Sequence, residues 1–177
     1  MRMILAAALA FAPHLAHAAG SDDSQPPTPT ETTTECQKGR VWDPDTGTCI
    51  KAEESSLNDD QRYGAVRELA YAKRYDEALA ILALMTEGET SRVMTYQGFL
   101  LRQTGRVEEG IAAYERAIAM DPANILARSY YGQLLVQMDE TRLAQAQLDA
   151  IRQAGGTGTW AETALASAIT TGVTYTY

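Results

Sequence analysis

The sequence predicts an all-α chain: an α-solenoid of about three helical hairpins, closed by a C-terminal capping helix. A period of 34 residues runs through its second half, where Gly132 follows Gly98 and Ala144 follows Gly110 by that interval. Within each period, small and large apolar residues recur at helical spacing around a central turn signal. Ahead of the helices stand a Thr/Pro/acidic stretch and two close cysteines. They predict a disordered linker and a small disulfide loop preceding the solenoid.

The N-terminus reads Met-Arg, then an almost wholly apolar run from Met3 to Ala12, then Ala16-His17-Ala18. This is the pattern of a secretory signal peptide over residues 1–18, with cleavage after Ala18. The apolar run is about half the ~20 residues that a membrane-spanning helix needs. The two histidines, His14 and His17, both lie in this segment, so cleavage leaves a chain without histidine. Losing Arg2 takes the formal net charge from −8 to −9. An acidic chain without histidine is a poor candidate for nucleic-acid binding or for a zinc, copper or nickel site.

Residues 19–35, with SDDSQPPTPTETTTE from Ser21, hold no large apolar side chain. Such a stretch buries too little surface to offset its ordering entropy and reads as a disordered linker. Cys36 and Cys49 follow and, in an exported chain, read as one disulfide closing the loop over residues 36–50. Asp43-Pro44-Asp45-Thr46-Gly47 supplies the turn of a tiny hairpin, with Val41, Trp42 and Ile50 as its apolar residues. Asp43 and Asp45 fall short of a full calcium ligand set. The cysteines are not spaced Cys-x-x-Cys, so a redox pair is not indicated. Trp42 is either the small core of this loop or a contact site.

The helical body spans residues 57–171. Its middle unit runs from Ser91 to Asn124, turns at Gly105 and closes at Pro122. The third unit keeps Leu135 where the second has Leu101, and ends at Gly155-Gly156. The first unit is two residues short, since Ala78 precedes Gly110 by 32, and Val66 stands at the glycine position. Thr159 to Ile169 forms the cap, with Thr159 as N-cap and Trp160 and Leu165 packing on the third hairpin. Residues 172–177, GVTYTY, alternate like a strand and read as a loose tail or a strand that adds to a partner.

Ser91–Asn124, SRVMTYQGFLLRQTGRVEEGIAAYERAIAMDPAN, resembles one tetratricopeptide repeat. Gly98 and Gly110 take the small positions of its two helices, Leu101 the large apolar one, Tyr114 the aromatic one and Ala117 the second small one. The resemblance extends over roughly residues 57–155, and the cysteine loop is similar to short modules beside repeats in exported bacterial proteins. It implies a right-handed solenoid whose first helices line a concave groove that binds protein or extended peptide. By the repeat register that groove holds Tyr63, Arg67 and Tyr71, then Arg92, Tyr96, Phe99 and Arg102, then Tyr130, Gln133 and Gln137. Tyrosine and arginine are favoured at binding hot spots, and the arginines suit a partner with acidic or carboxylate groups. Phe99 takes one of the asparagine positions of the family's carboxylate clamp, so that particular ligand is not implied.

No Gly-x-Ser-x-Gly and no phosphate loop occur, and Asp59-Asp60 and Glu108-Glu109 lie at helix starts, where they suit the helix dipole. The expectation is a protein that is not an enzyme and uses no cofactor or metal. It would be exported, periplasmic or released, without a membrane span in the mature chain. It would serve as an adaptor or assembly factor in the cell envelope. The alternative is a structural module that self-associates into a homo-oligomer.

Overall fold

A computed structural model describes residues 27–174. The expected signal peptide, the first part of the linker and Tyr175–Tyr177 lie outside the described residues. A short helix, α1 (Glu31–Thr34), precedes a two-stranded antiparallel hairpin of β1 (Arg40–Asp43) and β2 (Thr48–Lys51). Three helical hairpins follow: α2 (Asp59–Tyr71) with α3 (Tyr75–Leu82), α4 (Ser91–Gln103) with α5 (Val107–Met120), and α6 (Ile125–Gln137) with α7 (Thr141–Gln153). The last helix, α8 (Trp160–Thr171), packs on both α6 and α7.

The repeat is written into the helix ends. Asn58, Thr90, Asn124 and Thr159 cap the first helix of each unit and α8, their side chains accepting from the N–H of Gln61, Val93, Ala127 and Glu162. At the three hairpin turns the N–H of Arg74, Arg106 and Glu140 donates to the carbonyl five residues back, on Leu69, Leu101 and Leu135, at 2.8, 2.9 and 2.8 Å. Each turn needs one left-handed residue. Gly105 fills it in the second unit at φ +84°, while Lys73 and Asp139 fill it in the others at φ +61°.

Small residues set helix approach. A Cβ on Gly98 would lie 2.7 Å from the Tyr114 ring, so α5 seats its tyrosine against bare α4 backbone. The first unit reverses both choices, with Val66 at the glycine position and Leu82 at the aromatic one. Gly132 differs from expectation: its notch receives Leu165 of α8, where a Cβ would lie 2.6 Å from that side chain, so here the small position serves the cap.

One expectation needs correction. The linker of residues 19–35 is ordered over its described end. Thr30 caps α1, and the Glu68 carboxylate on α2 accepts from the N–H and hydroxyl of both Thr30 and Thr33. Arg74 donates to the carbonyls of Thr32 and Thr33 at 3.4 and 3.3 Å. Composition suggested disorder because the segment has no large apolar residue, but polar bonds to buried partners anchor it instead. The cysteine loop forms as expected and packs on the helices. Cys36 and Cys49 are bonded as expected, and Val41 and Ala52 enter the same apolar core as the first two hairpins. Arg62 reaches out of α2 to the carbonyls of Ala52 and Glu54 at 3.1 and 2.9 Å. Residues 27–54 thus seal the exposed side of α2, where a further hairpin would otherwise stack.

Candidate binding surface

The ten residues of the expected groove lie on α2, α4 and α6, as the repeat register requires. Their depth differs from expectation. Tyr63, Arg67, Tyr96, Phe99, Arg102, Tyr130 and Gln133 are buried, whereas Tyr71 is 43 % exposed, Arg92 is half-buried and Gln137 is exposed. Helical spacing gives the direction in which a side chain points, not how far its neighbours close over it.

The buried aromatics form a ladder across the units. Tyr63 meets Tyr96 edge to face at 5.4 Å, Tyr96 meets Tyr130 at 6.2 Å, and Tyr130 meets Trp160 of α8 at 6.0 Å. Phe99 sits 4.8 Å from Tyr130 and 6.1 Å from Tyr75, a residue that sequence spacing left out of the face. Edge-to-face pairs of this kind add about 0.5–1.5 kcal/mol each beyond their burial. Tyr96 and Tyr130 recur at the period of 34, and Tyr63, one position out of register, joins them in a continuous aromatic floor.

The arginines of this face are committed inside the molecule. Arg92 lies over the Tyr63 ring, 4.8 Å from its centroid, and donates to Glu87 and Asp60 at 2.8 and 2.7 Å. The Glu87 bond is the main reason its pKa rises above the usual arginine value, against the opposing effect of burial. Arg102 donates to the Gln137 side chain and to the Tyr130 carbonyl, each at 3.1 Å. Arg67 is engaged as well. The forks expected to grip a partner's carboxylates thus already hold groups of this chain. Buried beside Arg102, the Tyr114 hydroxyl has its pKa pushed well above the usual value by desolvation, which outweighs the nearby cation.

Polar ties that spacing did not reveal join the units. Asn124 caps α6 with its Oδ1 and uses its Nδ2 to donate to Ser91 and Thr95 on α4, at 2.8 and 3.1 Å. Ser129 donates to the Ala161 carbonyl at 2.8 Å, fixing α8 on α6. Asp59 accepts from the N–H and hydroxyl of Thr86 and from the N–H of Glu87. Burial raises its pKa, but these bonds and Arg62 outweigh that and leave it below the usual aspartate value. The visible signal was an acid at N1 of α2; the loop it would hold was not legible.

On the N-terminal cap, Trp42 stands opposite Cys49 in the strand register and is half-buried. It borders a cleft of about 420 Å³ with Pro27, Pro44, Gln61 and Gly64. Both Asp43 carboxylate oxygens are used within the turn, accepting from the Asp45 N–H at 3.0 Å and the Thr46 hydroxyl at 2.8 Å. Among the described residues no helix is long and apolar enough to cross a membrane.

Residues 101–166 match the model of a family described as tetratricopeptide repeat. No curated protein and no solved structure matches the chain.

Proposed function

Taking residues 101–166 as tetratricopeptide repeat, we propose that the chain is an exported adaptor or assembly factor of the cell envelope that binds a protein partner on the face formed by α2, α4 and α6. Tetratricopeptide repeats are protein-interaction units and generally not catalysts. The observation that carries the reading is the stack of three hairpins with its period intact through the matched segment. The partner engages the exposed rim, at Tyr71, Arg92 and Gln137, over the rigid aromatic floor. Because the arginines are paired within the chain, recognition on this face rests on aromatic and apolar contact more than on carboxylates.

Substituting Tyr96 or Arg102 would test packing rather than binding, since both are buried. A photo-crosslinker in place of Gln137, used on the protein in its native envelope, tests the surface itself. A discrete adduct with a different protein is the expected result. Adducts between copies of the chain would establish the self-associating module instead, and no adduct at Gln137 or Tyr71 would remove this face as the binding site.

A further inference from the structure

Three exposed cations cluster on the N-terminal cap of this acidic protein; Lys73 and Arg142, elsewhere on the surface, are likewise outside the salt bridges. Lys38, Arg40 and Lys51 line an open cleft of about 520 Å³ together with Glu53 and Glu54. All three cations are exposed, and among the described residues none lies within salt-bridge distance of a carboxylate. By contrast Arg62, Arg74, Arg92, Arg106, Arg116 and Arg152 are each paired. Arg40 and Lys51 are also direct cross-strand partners. Like charges facing each other across a strand pair destabilise it.

The hairpin does not need these charges to hold its place or to shield its edges. Arg62, the disulfide and the Glu68 bonds do the first. For the second, the Trp42 N–H already donates to Thr32, the Arg40 N–H to the Gln37 carbonyl, and the Glu54 N–H to the Lys51 carbonyl. One guanidinium nitrogen of Arg40 covers the Cys49 carbonyl at 2.8 Å, and the rest of its fork faces outward.

We propose that this face is a docking surface for a carboxylate-bearing segment of another protein. An incoming carboxylate relieves the repulsion between Arg40 and Lys51, so the apposition that costs stability in the free protein favours the bound state. The cleft is open and shallow, so it suits an extended segment lying along it rather than an enclosed ligand. Glu53 and Glu54 in the same lining, with a net charge of −8 over the whole chain, repel a flat polyanion such as an anionic membrane. This site is separate from the α2–α4–α6 face and does not depend on that reading.

The test is calorimetric titration of the protein with a hexaglutamate peptide at low salt, with hexaglutamine as the neutral control. Saturable binding is expected, weakening as salt rises. The Lys38→Glu/Lys51→Glu variant should bind about tenfold more weakly with its urea midpoint no lower than the parent's, since Lys51→Glu replaces the repulsion opposite Arg40 by attraction, and Arg40→Lys should bind like the parent. Absence of hexaglutamate binding, equal binding of hexaglutamine, or full binding by the double variant would overturn the proposal. Co-sedimentation with anionic lipid vesicles that the double variant loses would assign the surface to a membrane and overturn it equally.

Discussion

The two ends of the helical stack are closed by different physics. At the N-terminal end, residues 27–54 cover α2 with a strap and a hairpin. A disulfide joins strap to hairpin, and Glu68, Arg62 and Arg74 hold them through hydrogen bonds. At the C-terminal end α8 closes the stack through burial: Ala161, Ala164, Leu165 and Ala168 are buried, with Leu165 in the notch of Gly132. A solenoid end must hide an apolar face. The chain hides one with polar anchors and a cross-link and the other with a helix of its own repeat type. A cross-link restricts the unfolded chain, whereas apolar burial acts on the folded one.

That contrast predicts which end each perturbation loosens. Leu165→Ala should cost about 3 kcal/mol in urea unfolding, since it empties a site built around that side chain. Hydrogen exchange should quicken in α6–α8 and stay slow in α2; uniform quickening would mean the ends are not independent. Breaking the Cys36–Cys49 bond should cost up to about 3 kcal/mol for a loop of this size and leave exchange in α8 unchanged. Glu68→Ala should cost about 2 kcal/mol, because the donors on Thr30 and Thr33 lose their acceptor. An unchanged urea midpoint would show that the strap adds nothing to the fold.

Acid should loosen both ends. Asp59 and Glu77 lie below their usual pKa, Asp59 through bonds that outweigh its burial and Glu77 chiefly through the Arg74 bond. Glu162 at the other end is lowered chiefly by Arg152, then by the Gly158 N–H. A carboxylate with a depressed folded-state pKa contributes stability above its unfolded pKa and loses it as pH falls through the folded value. Urea midpoints should therefore hold from pH 7 to about pH 5 and fall below about pH 4. A midpoint that rose on acidification would reverse the sign. The smallest effect belongs to the turns: Asp139→Gly should raise stability by up to about 1 kcal/mol and Gly105→Ala lower it by about as much. Equal responses at the two positions would contradict the shared left-handed turn.

The C-terminal end was far more legible in the sequence than the N-terminal one. Thr159, Trp160 and Leu165 announce a capped amphipathic helix, although the interval from Gly98 to Gly132 did not show that this notch would receive Leu165. The strap was unreadable because its anchoring depends on threonine hydroxyls meeting a glutamate 38 residues away, and such bonds leave no period. The residues expected on the face of α2, α4 and α6 do lie on those helices, and seven of the ten are buried there. The tyrosines recur with the repeat because they pack on one another, and recurrence reads the same for a floor as for a contact surface. Arg92 and Arg102 were legible as cations, but their partners Asp60, Glu87 and Gln137 come from other helices and a loop.

The chain has two tryptophans, and the fold puts one in each cap. Trp42 lies half-buried on the N-terminal hairpin beside Cys49, a neighbour that can quench its emission, and Trp160 lies on α8 against Tyr130. Tryptophan emission, excited selectively over tyrosine, therefore reports the two ends of the stack and not its middle. Trp42→Phe and Trp160→Phe variants would each leave a single lamp at one known end. Fraying from either end would then appear as a colour change before the central hairpins open.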